Sequence, residues 1–197
     1  MKLLLVGHSY VRDLAQFIPE TIATGGLEYT VEAVHRSGSS YKTFLEDSDL
    51  WAQVIDKSAD IILVILAANA ITGKHTNLEI YSYCRQFYRR LRAAFPTAKI
   101  IAAQAELRFN KPGNRLNIPT GREYHLRRVA FNNFLKTVPE KNHILMIGGP
   151  NRLDDRDLYR DQWHLNREGL LRYYNFIRRV LRCLSNCPRS NVNSRLD

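Results

Sequence analysis

Short apolar runs alternate along the chain with segments of helical periodicity. Continuous apolar runs of four to eight residues are typical of strands buried inside a sheet. Such runs predict strands over residues 2–7, 61–66, 99–105 and 144–147, and the alternation of apolar and polar residues predicts a further strand over 27–34. Apolar residues spaced three or four apart predict helices over residues 9–17, 41–58, 77–94, 122–138 and 167–184. Five strands alternating with five helices predict an α/β fold in three layers, α/β/α, with a five-stranded parallel sheet covered by helices on both faces.

Polar residues follow four of these predicted strands. Ser9 comes after the first strand, Gly38 after the second and Asn69 after the third, in a segment (67–70) that we predict to be a loop. Asp161 and His164 come after the fifth strand. The carboxyl ends of parallel strands form one edge of a sheet, and ligands bind along that edge. We therefore expect these residues to meet at a single site.

The spacing of Asp161 and His164 is typical of an oriented general base. An aspartate three residues before a histidine can hold the imidazole in one tautomer and stabilise its protonated form. A serine hydroxyl near such a base can attack a carbonyl, and nearby donors can stabilise the oxyanion that forms. Ser9, His164 and Asp161 are the predicted catalytic residues, and Ser9, Gly38 and Asn69 are the predicted oxyanion donors.

Each of these residues also has a simpler interpretation. Ser9 could cap the first helix, as serine does routinely between a strand and a helix. Gly38 could be a turn glycine, and Asn69 could cap a helix or a turn. His8 and Trp163 are candidates for lining a substrate, and His8 could instead have a structural role. Only the combination of all four positions favours catalysis over these alternatives.

The composition indicates a globular, basic protein. Of its 197 residues 45% are hydrophobic, and the formal net charge is +10. Such a charge suggests a polyanionic partner, either nucleic acid or an anionic lipid surface, although it also favours solubility alone. The apolar run after Lys2 is too short for a signal peptide and nothing downstream is long enough to span a membrane. We therefore expect a soluble, intracellular protein, cytoplasmic or nuclear.

Several other polar residues have two interpretations each. Asp154, Asp155 and Asp157 could form a metal cluster or a solvated acidic loop, and we favour the loop, so that no metal is predicted. The basic loop 108–120 could be a lid or a solvated excursion. The arginines of the last helix could bind nucleic acid or lipid headgroups, or simply face solvent. Cys84 is predicted to lie in the core, and Cys183 and Cys187 could form a local disulfide bond.

The four positions resemble the SGNH hydrolases, also called GDSL esterases and lipases. Gly7-His8-Ser9 matches the first block of the family, Gly38 the second, and Ala67-Ala68-Asn69-Ala70 the third. Asp161-Gln162-Trp163-His164 matches the Asp-x-x-His block fully, and Leu165, Asn166 and Gly169 also fit. The resemblance covers residues 1–184, the predicted esterase domain, and leaves 185–197 as a polar, disordered tail.

The resemblance implies a flavodoxin-like fold and a serine esterase that hydrolyses small acyl esters of the acetyl type without a cofactor. Two departures bear on activity: His8 replaces the usual acid, and Ala67 and Ala70 replace a glycine and a second aspartate. The change at His8 is similar to esterase domains of mobile-element proteins in animals. The alternative function is a basic binding module that keeps the fold but has weak or vestigial catalysis. Oligomeric state is not predicted.

Overall fold

The computed structural model of the protein describes residues 1–106, 121–138, 144–148, 156–161 and 164–186. Its strands are β1 (Lys2–Gly7), β2 (Thr21–Thr24), β3 (Leu27–His35), β4 (Ile61–Ile65), β5 (Lys99–Ala103) and β6 (Ile144–Ile147). Its α-helices are α1 (Ser9–Phe17), α2 (Tyr41–Glu46), α3 (Ser48–Ile55), α4 (Ala67–Thr72), α5 (Asn77–Ala94), α6 (Gly121–Leu135) and α7 (Arg167–Asn186). A 3-10 turn covers Arg156–Leu158.

The strands form one sheet in the order β2-β3-β1-β4-β5-β6. β1 lies inside this sheet and pairs in parallel with β3 on one side and β4 on the other. Gly7, the last residue of β1, is level with His35 of β3 and Ile65 of β4. The loops that follow these three strands therefore begin side by side at one edge of the sheet.

Helices cover both faces of the sheet, as the apolar runs predict. Successive side chains of β1 point to opposite faces. Leu4 and Val6 pack with residues of α2, α3, α5 and α6, while Leu3 and Leu5 pack with residues of α1 and α7. The chain thus buries two apolar layers, one on each face, and the three-layer α/β/α arrangement is confirmed.

The predicted strand number is wrong by one. β2 is a sixth strand at the edge of the sheet, and it runs antiparallel to β3. Gly25 and Gly26 have φ angles of 59° and 74° and connect the two strands. Two consecutive residues with positive φ are what a tight hairpin turn requires, and glycine adopts them without strain. The glycine pair thus forms the turn of a hairpin between β2 and β3.

Two helical predictions also need correction. The single helix predicted over 41–58 is two helices, because Asp47 has extended backbone angles and its Oδ1 accepts a hydrogen bond from the Leu50 N–H (2.9 Å). That bond caps α3. It is also the largest of the causes that lower the pKa of Asp47. The loop predicted over 67–70 is part of helix α4. Periodicity did not reveal either feature, because each depends on where a short helix begins.

The last helix, predicted over 167–184, spans Arg167–Asn186. Asn166 caps α7, since its side-chain oxygen accepts a hydrogen bond from the Gly169 N–H (3.0 Å). α7 ends at Asn186, so the predicted domain boundary at 184 falls within its last turn. Cys84 is fully buried, as predicted, and burial raises the pKa of its thiol. Cys187 and the tail 187–197 lie outside the described residues, as does the loop 108–120.

Candidate active site

The turn between β1 and α1 places Ser9 at the carboxyl edge of the sheet. Only His8 separates the strand from the helix, and its Nδ1 accepts a hydrogen bond from the Tyr10 N–H (3.3 Å), which caps α1. The His8 N–H in turn donates to the Ile65 carbonyl of β4 (3.3 Å). Ser9 is therefore the first residue of the helix, where the backbone N–H groups favour negative charge. A larger residue at Gly7 would clash, because a Cβ there would lie 2.5 Å from the Ile65 carbonyl oxygen.

The structure brings Ser9, His164 and Asp161 together in one hydrogen-bonded chain. His164 Nε2 lies 3.1 Å from Ser9 Oγ, and His164 Nδ1 lies 2.7 Å from Asp161 Oδ2. Because a carboxylate only accepts, Nδ1 carries the proton and Nε2 is left with the lone pair that faces the serine. This arrangement allows the imidazole to remove a proton from Ser9.

A local turn fixes the geometry of the aspartate and the histidine. The His164 N–H donates to Asp161 Oδ1 (2.6 Å), and the Arg160 N–H donates to the His164 carbonyl (2.9 Å). Each carboxylate oxygen of Asp161 thus has a different partner, one in the backbone and one in the ring. The carboxylate cannot rotate without breaking one of these bonds.

Gly38 and Asn69 reach the same place from the two neighbouring strands. Gly38 follows β3 and has a φ angle of 77°, which strongly favours glycine. Asn69 lies in α4 after strand β4, and its Nδ2 donates to the Ser39 carbonyl (3.1 Å). This bond connects the two loops, because Ser39 directly follows Gly38. Both residues line one cleft with Ser9 and His164.

The cleft is small and bordered by polar and short side chains. Its volume is about 490 Å³. Among the described residues the lining consists of Ser9, Arg12, Ser37, Gly38, Asn69, Thr72, Gly73 and His164. No large apolar side chain belongs to that set. His8 does not belong to the described lining of the cleft, and its side chain is completely buried. Trp163 lies outside the described residues.

Asp13 connects the serine helix to the histidine turn, a role that sequence reasoning missed. Asp13 Oδ1 accepts from Arg12 Nη2 (2.7 Å), and Asp13 Oδ2 accepts from Arg160 Nη2 (2.8 Å). Arg12 and Asp13 are adjacent charged residues of α1, yet the side chain of Asp13 is buried. The adjacent pair of opposite charges gave no sign of this, because the second arginine is distant in the sequence.

A second buried carboxyl lies behind the site. Glu106 follows β5, and its Oε1 accepts a hydrogen bond from the Tyr173 hydroxyl of α7 (2.9 Å). Burial first, and the nearby Glu106 second, raise the pKa of Tyr173 well above its ordinary value. Because both side chains are buried, the pair fastens α7 to the sheet. Neither residue belongs to a recognisable motif.

The chain is similar to known proteins in its structure but matches none of the sequence families or curated proteins compared with it. No protein-family model and no curated protein matches the sequence. A candidate GDSL-like lipase from Parabacteroides merdae matches with a TM-score of 0.68 and 12% identity, over 93% of this chain and 95% of that one. The psychrotrophic esterase EstA from a Pseudoalteromonas species matches with a TM-score of 0.63 and 14% identity, over 94% and 99%. A candidate SGNH hydrolase from Slackia heliotrinireducens matches with a TM-score of 0.62 and 14% identity, over 92% and 98%.

The chain has the SGNH-hydrolase fold. The likeness extends over nearly the whole of each chain. Identities of this size leave the activity to be argued from the residues themselves. None of these three proteins is described as a mobile-element protein, and that part of the resemblance stays a prediction.

Several arginines contact other groups of the protein: an aromatic ring, backbone carbonyl groups or a carboxylate. The guanidinium of Arg90 lies over the ring of Trp51, 4.2 Å from its centroid. Arg92 Nη1 donates to three carbonyl groups after α5. In α7, Arg172 pairs with Glu168 at 2.7 Å. The prediction of a surface that binds nucleic acid or anionic lipid is untested by these contacts.

Neither a metal-binding cluster nor a membrane-spanning helix occurs in the part of the chain that the structure describes. Within them no group of three or more His, Cys, Asp or Glu side chains could hold a metal ion. Asp154 and Asp155 of the acidic loop lie outside the described ranges. No described helix combines the length and the apolar character needed to cross a bilayer.

Proposed function

We propose that the protein is a serine ester hydrolase that acts on short acyl esters through Ser9, His164 and Asp161. The observation that carries the proposal is the continuous contact from Ser9 Oγ through the imidazole to Asp161. The SGNH fold supports it, because the proteins that share this fold include an esterase and a candidate SGNH hydrolase. The alternative of Ser9 as a simple helix cap is less favoured, because His8 already caps α1.

In the first half of the reaction, Ser9 Oγ attacks the ester carbonyl while His164 Nε2 takes the hydroxyl proton. Asp161 stabilises the imidazolium that forms and holds its ring in place. The oxyanion is stabilised by the backbone N–H groups of Ser9 and Gly38 and by the side-chain amide of Asn69. The carbon–oxygen bond to the alcohol then breaks, and His164 returns its proton to the departing alcohol.

In the second half, water hydrolyses the acyl-serine. His164 removes a proton from the water as its oxygen attacks the carbonyl, and the same donors stabilise the second oxyanion. The bond to Ser9 Oγ breaks, and the serine recovers its proton from His164. The products are a carboxylic acid and an alcohol, and none of these steps requires a cofactor.

The cleft favours short acyl groups. A long acyl chain gains free energy only where it buries apolar surface, at about 25 cal/mol per Å². Among the described residues the lining consists of two glycines and the side chains of Ser9, Arg12, Ser37, Asn69, Thr72 and His164, none of which is a large hydrocarbon group. An acetyl group needs no such surface, which is why we place acetyl-type esters first.

A panel of para-nitrophenyl esters from acetyl to octanoyl tests this function. We expect kcat/KM to be about tenfold higher for acetyl than for octanoyl esters, because the described lining holds no large apolar side chain against which the longer chain could pack. A fluorophosphonate probe should add one label, which peptide mapping places on Ser9. A kcat/KM that rises with chain length would refute the short-acyl assignment, and a label on another residue would refute the nucleophile.

Replacement of Asn69 by alanine should slow turnover by about 10²–10³-fold, mainly through kcat. The loss of one oxyanion donor typically has this effect, because the donor acts on charge that develops only in the transition state. The change should be measured as kcat and KM for para-nitrophenyl acetate, together with the Tm of each variant.

The matched control is Asn77→Ala, an exposed asparagine at the start of α5 that does not line the cleft. Its kcat should stay within about twofold of the parent value, as is usual for surface substitutions. If Asn69→Ala retained more than about a third of the parent kcat at an unchanged Tm, Asn69 would not be an oxyanion donor.

A further inference from the structure

Arg12 brings a positive charge to the cleft from the same helix as the proposed nucleophile. It lies three residues after Ser9 in α1, and residues three apart on a helix are neighbours, with Cβ atoms about 5–6 Å apart. Arg12 lines the cleft together with Ser9 and His164, and its side chain is 35% exposed. Apart from His164, it is the only side chain among the described lining residues that can carry a charge.

The guanidinium of Arg12 is held from two sides. Its Nε and Nη2 donate to Asp13 Oδ1 at 2.9 and 2.7 Å, and its Nη1 donates to Ser37 Oγ at 3.1 Å. A guanidinium has five N–H groups in a rigid plane, and three of them take part in these contacts. The side chain therefore loses little further freedom when it binds a ligand, which is the condition for strong and selective recognition.

The cluster of Arg12, Asp13 and Arg160 carries one net positive charge, and the carboxylate of Asp161, which holds His164, does not line the cleft. Asp13 is shared between Arg12 and Arg160, so that two positive charges face one negative charge. No carboxylate belongs to the described lining of the cleft. The charge of Arg12 also acts on the nearby His35: burial is the main cause that lowers the pKa of His35, Arg12 lowers it further, and Asp13 opposes this effect.

We propose that the preferred substrates are anionic esters, with a carboxylate or phosphate a few bonds from the ester carbonyl, and that Arg12 is the residue that selects them. This inference rests on the proposed ester hydrolysis and adds no covalent step to it. The planar fork of Arg12 suits the two oxygens of a carboxylate or phosphate. The anion would occupy the side of the cleft near Ser37, next to the oxyanion donor Gly38.

A purely structural role is the rival explanation. Through Ser37, Arg12 also holds the loop that carries Gly38, and its loss could disturb that oxyanion donor. A structural defect would slow the hydrolysis of neutral and anionic esters equally. The ratio of kcat/KM for matched esters separates the two explanations, because only direct recognition changes that ratio.

The test compares esters that differ in charge but hardly in size. An anion on the acyl side is tested with para-nitrophenyl hemisuccinate against para-nitrophenyl butyrate. An anion on the alcohol side is tested with para-acetoxybenzoate against its methyl ester. The parent protein should prefer one anionic ester by about tenfold, and R12Q should remove that preference, so that kcat/KM for the two esters of that pair becomes equal within about twofold.

The matched control is R36Q, which removes the same charge from an exposed arginine of the neighbouring loop that does not line the cleft. R36Q should keep the anionic preference of the parent. An equal loss for both esters in R12Q would show a structural role, and an anionic preference retained in R12Q would assign selection to another residue. Either result would overturn the proposal.

A binding measurement separates failure of this inference from failure of the proposed catalysis. In the Ser9→Ala variant, monoethyl succinate should bind about tenfold more tightly than ethyl butyrate, and the R12Q change should remove the difference. If binding follows this pattern while the parent protein hydrolyses no ester, the site recognises anions but the proposed function is wrong. If the parent protein hydrolyses neutral esters and monoethyl succinate binds no more tightly than ethyl butyrate, only the role of Arg12 is refuted.

Discussion

Replacement of Ser9 by alanine should lower ester turnover by about 10⁴–10⁶-fold and abolish labelling by a fluorophosphonate probe. The alanine has no oxygen to form the acyl intermediate, so only the oxyanion donors and substrate binding would continue to accelerate attack by water. Ser9 is almost fully buried at the first turn of α1. The loss of one hydroxyl should change the Tm little, because His8 provides the cap of this helix.

The measurement is kcat for para-nitrophenyl acetate, with the label followed by intact mass. Ser82→Ala is the matched control, since Ser82 is an exposed serine of α5 far along the chain from the cleft. It should retain both turnover and the label. If Ser9→Ala were labelled to the same extent as the parent protein, another residue would have to be the nucleophile.

Replacement of Asp161 by asparagine should lower kcat by about 10³–10⁴-fold with little change in KM. The expected cause is a wrong tautomer of His164. In the parent protein, Asp161 Oδ1 accepts from the His164 N–H and Oδ2 accepts from the ring Nδ1. An asparagine has one oxygen, and the backbone N–H requires it, so the amide nitrogen must face the ring.

An amide nitrogen that donates to Nδ1 moves the ring proton to Nε2, where it faces Ser9. The imidazole could then no longer accept the hydroxyl proton, although its position would be unchanged. Steady-state kinetics should show the loss in kcat, and NMR of the ring nitrogens should show the exchanged tautomer. Asp157→Asn, in the exposed part of the preceding turn, is the control and should keep the parent kcat within about twofold. A normal kcat in Asp161→Asn would show that Asp161 does not orient the base.

The local pattern of the chain predicts the layers of the fold well and its edges poorly. β1 and β4 are buried on both faces and read as unbroken apolar runs, so their place inside a parallel sheet could be predicted. β2 has four residues at the edge of the sheet, and its pairing depends on a glycine hairpin. Short edge strands carry little apolar signal, because one of their sides faces solvent.

The helix breaks have a comparable cause. The segment 41–58 keeps its apolar periodicity through Asp47, where the chain nevertheless turns. The break depends on backbone angles that an aspartate adopts in order to cap α3, and periodicity does not measure them. The same limitation hid α4, a helix of only six residues that positions Asn69.

The sequence by itself determined where the buried strands and the longer helices lie and which residue types follow the strands. These follow from local properties, since apolar periodicity and the spacing of Asp161 and His164 are properties of neighbouring residues. Only the tertiary structure decided which distant groups meet. The distance between His164 and Ser9, the burial of Asp13 between two arginines and the place of Arg12 in the cleft all depend on how α1 packs beside the turn at 160–164. Such contacts join residues some 150 positions apart, and no local pattern encodes them.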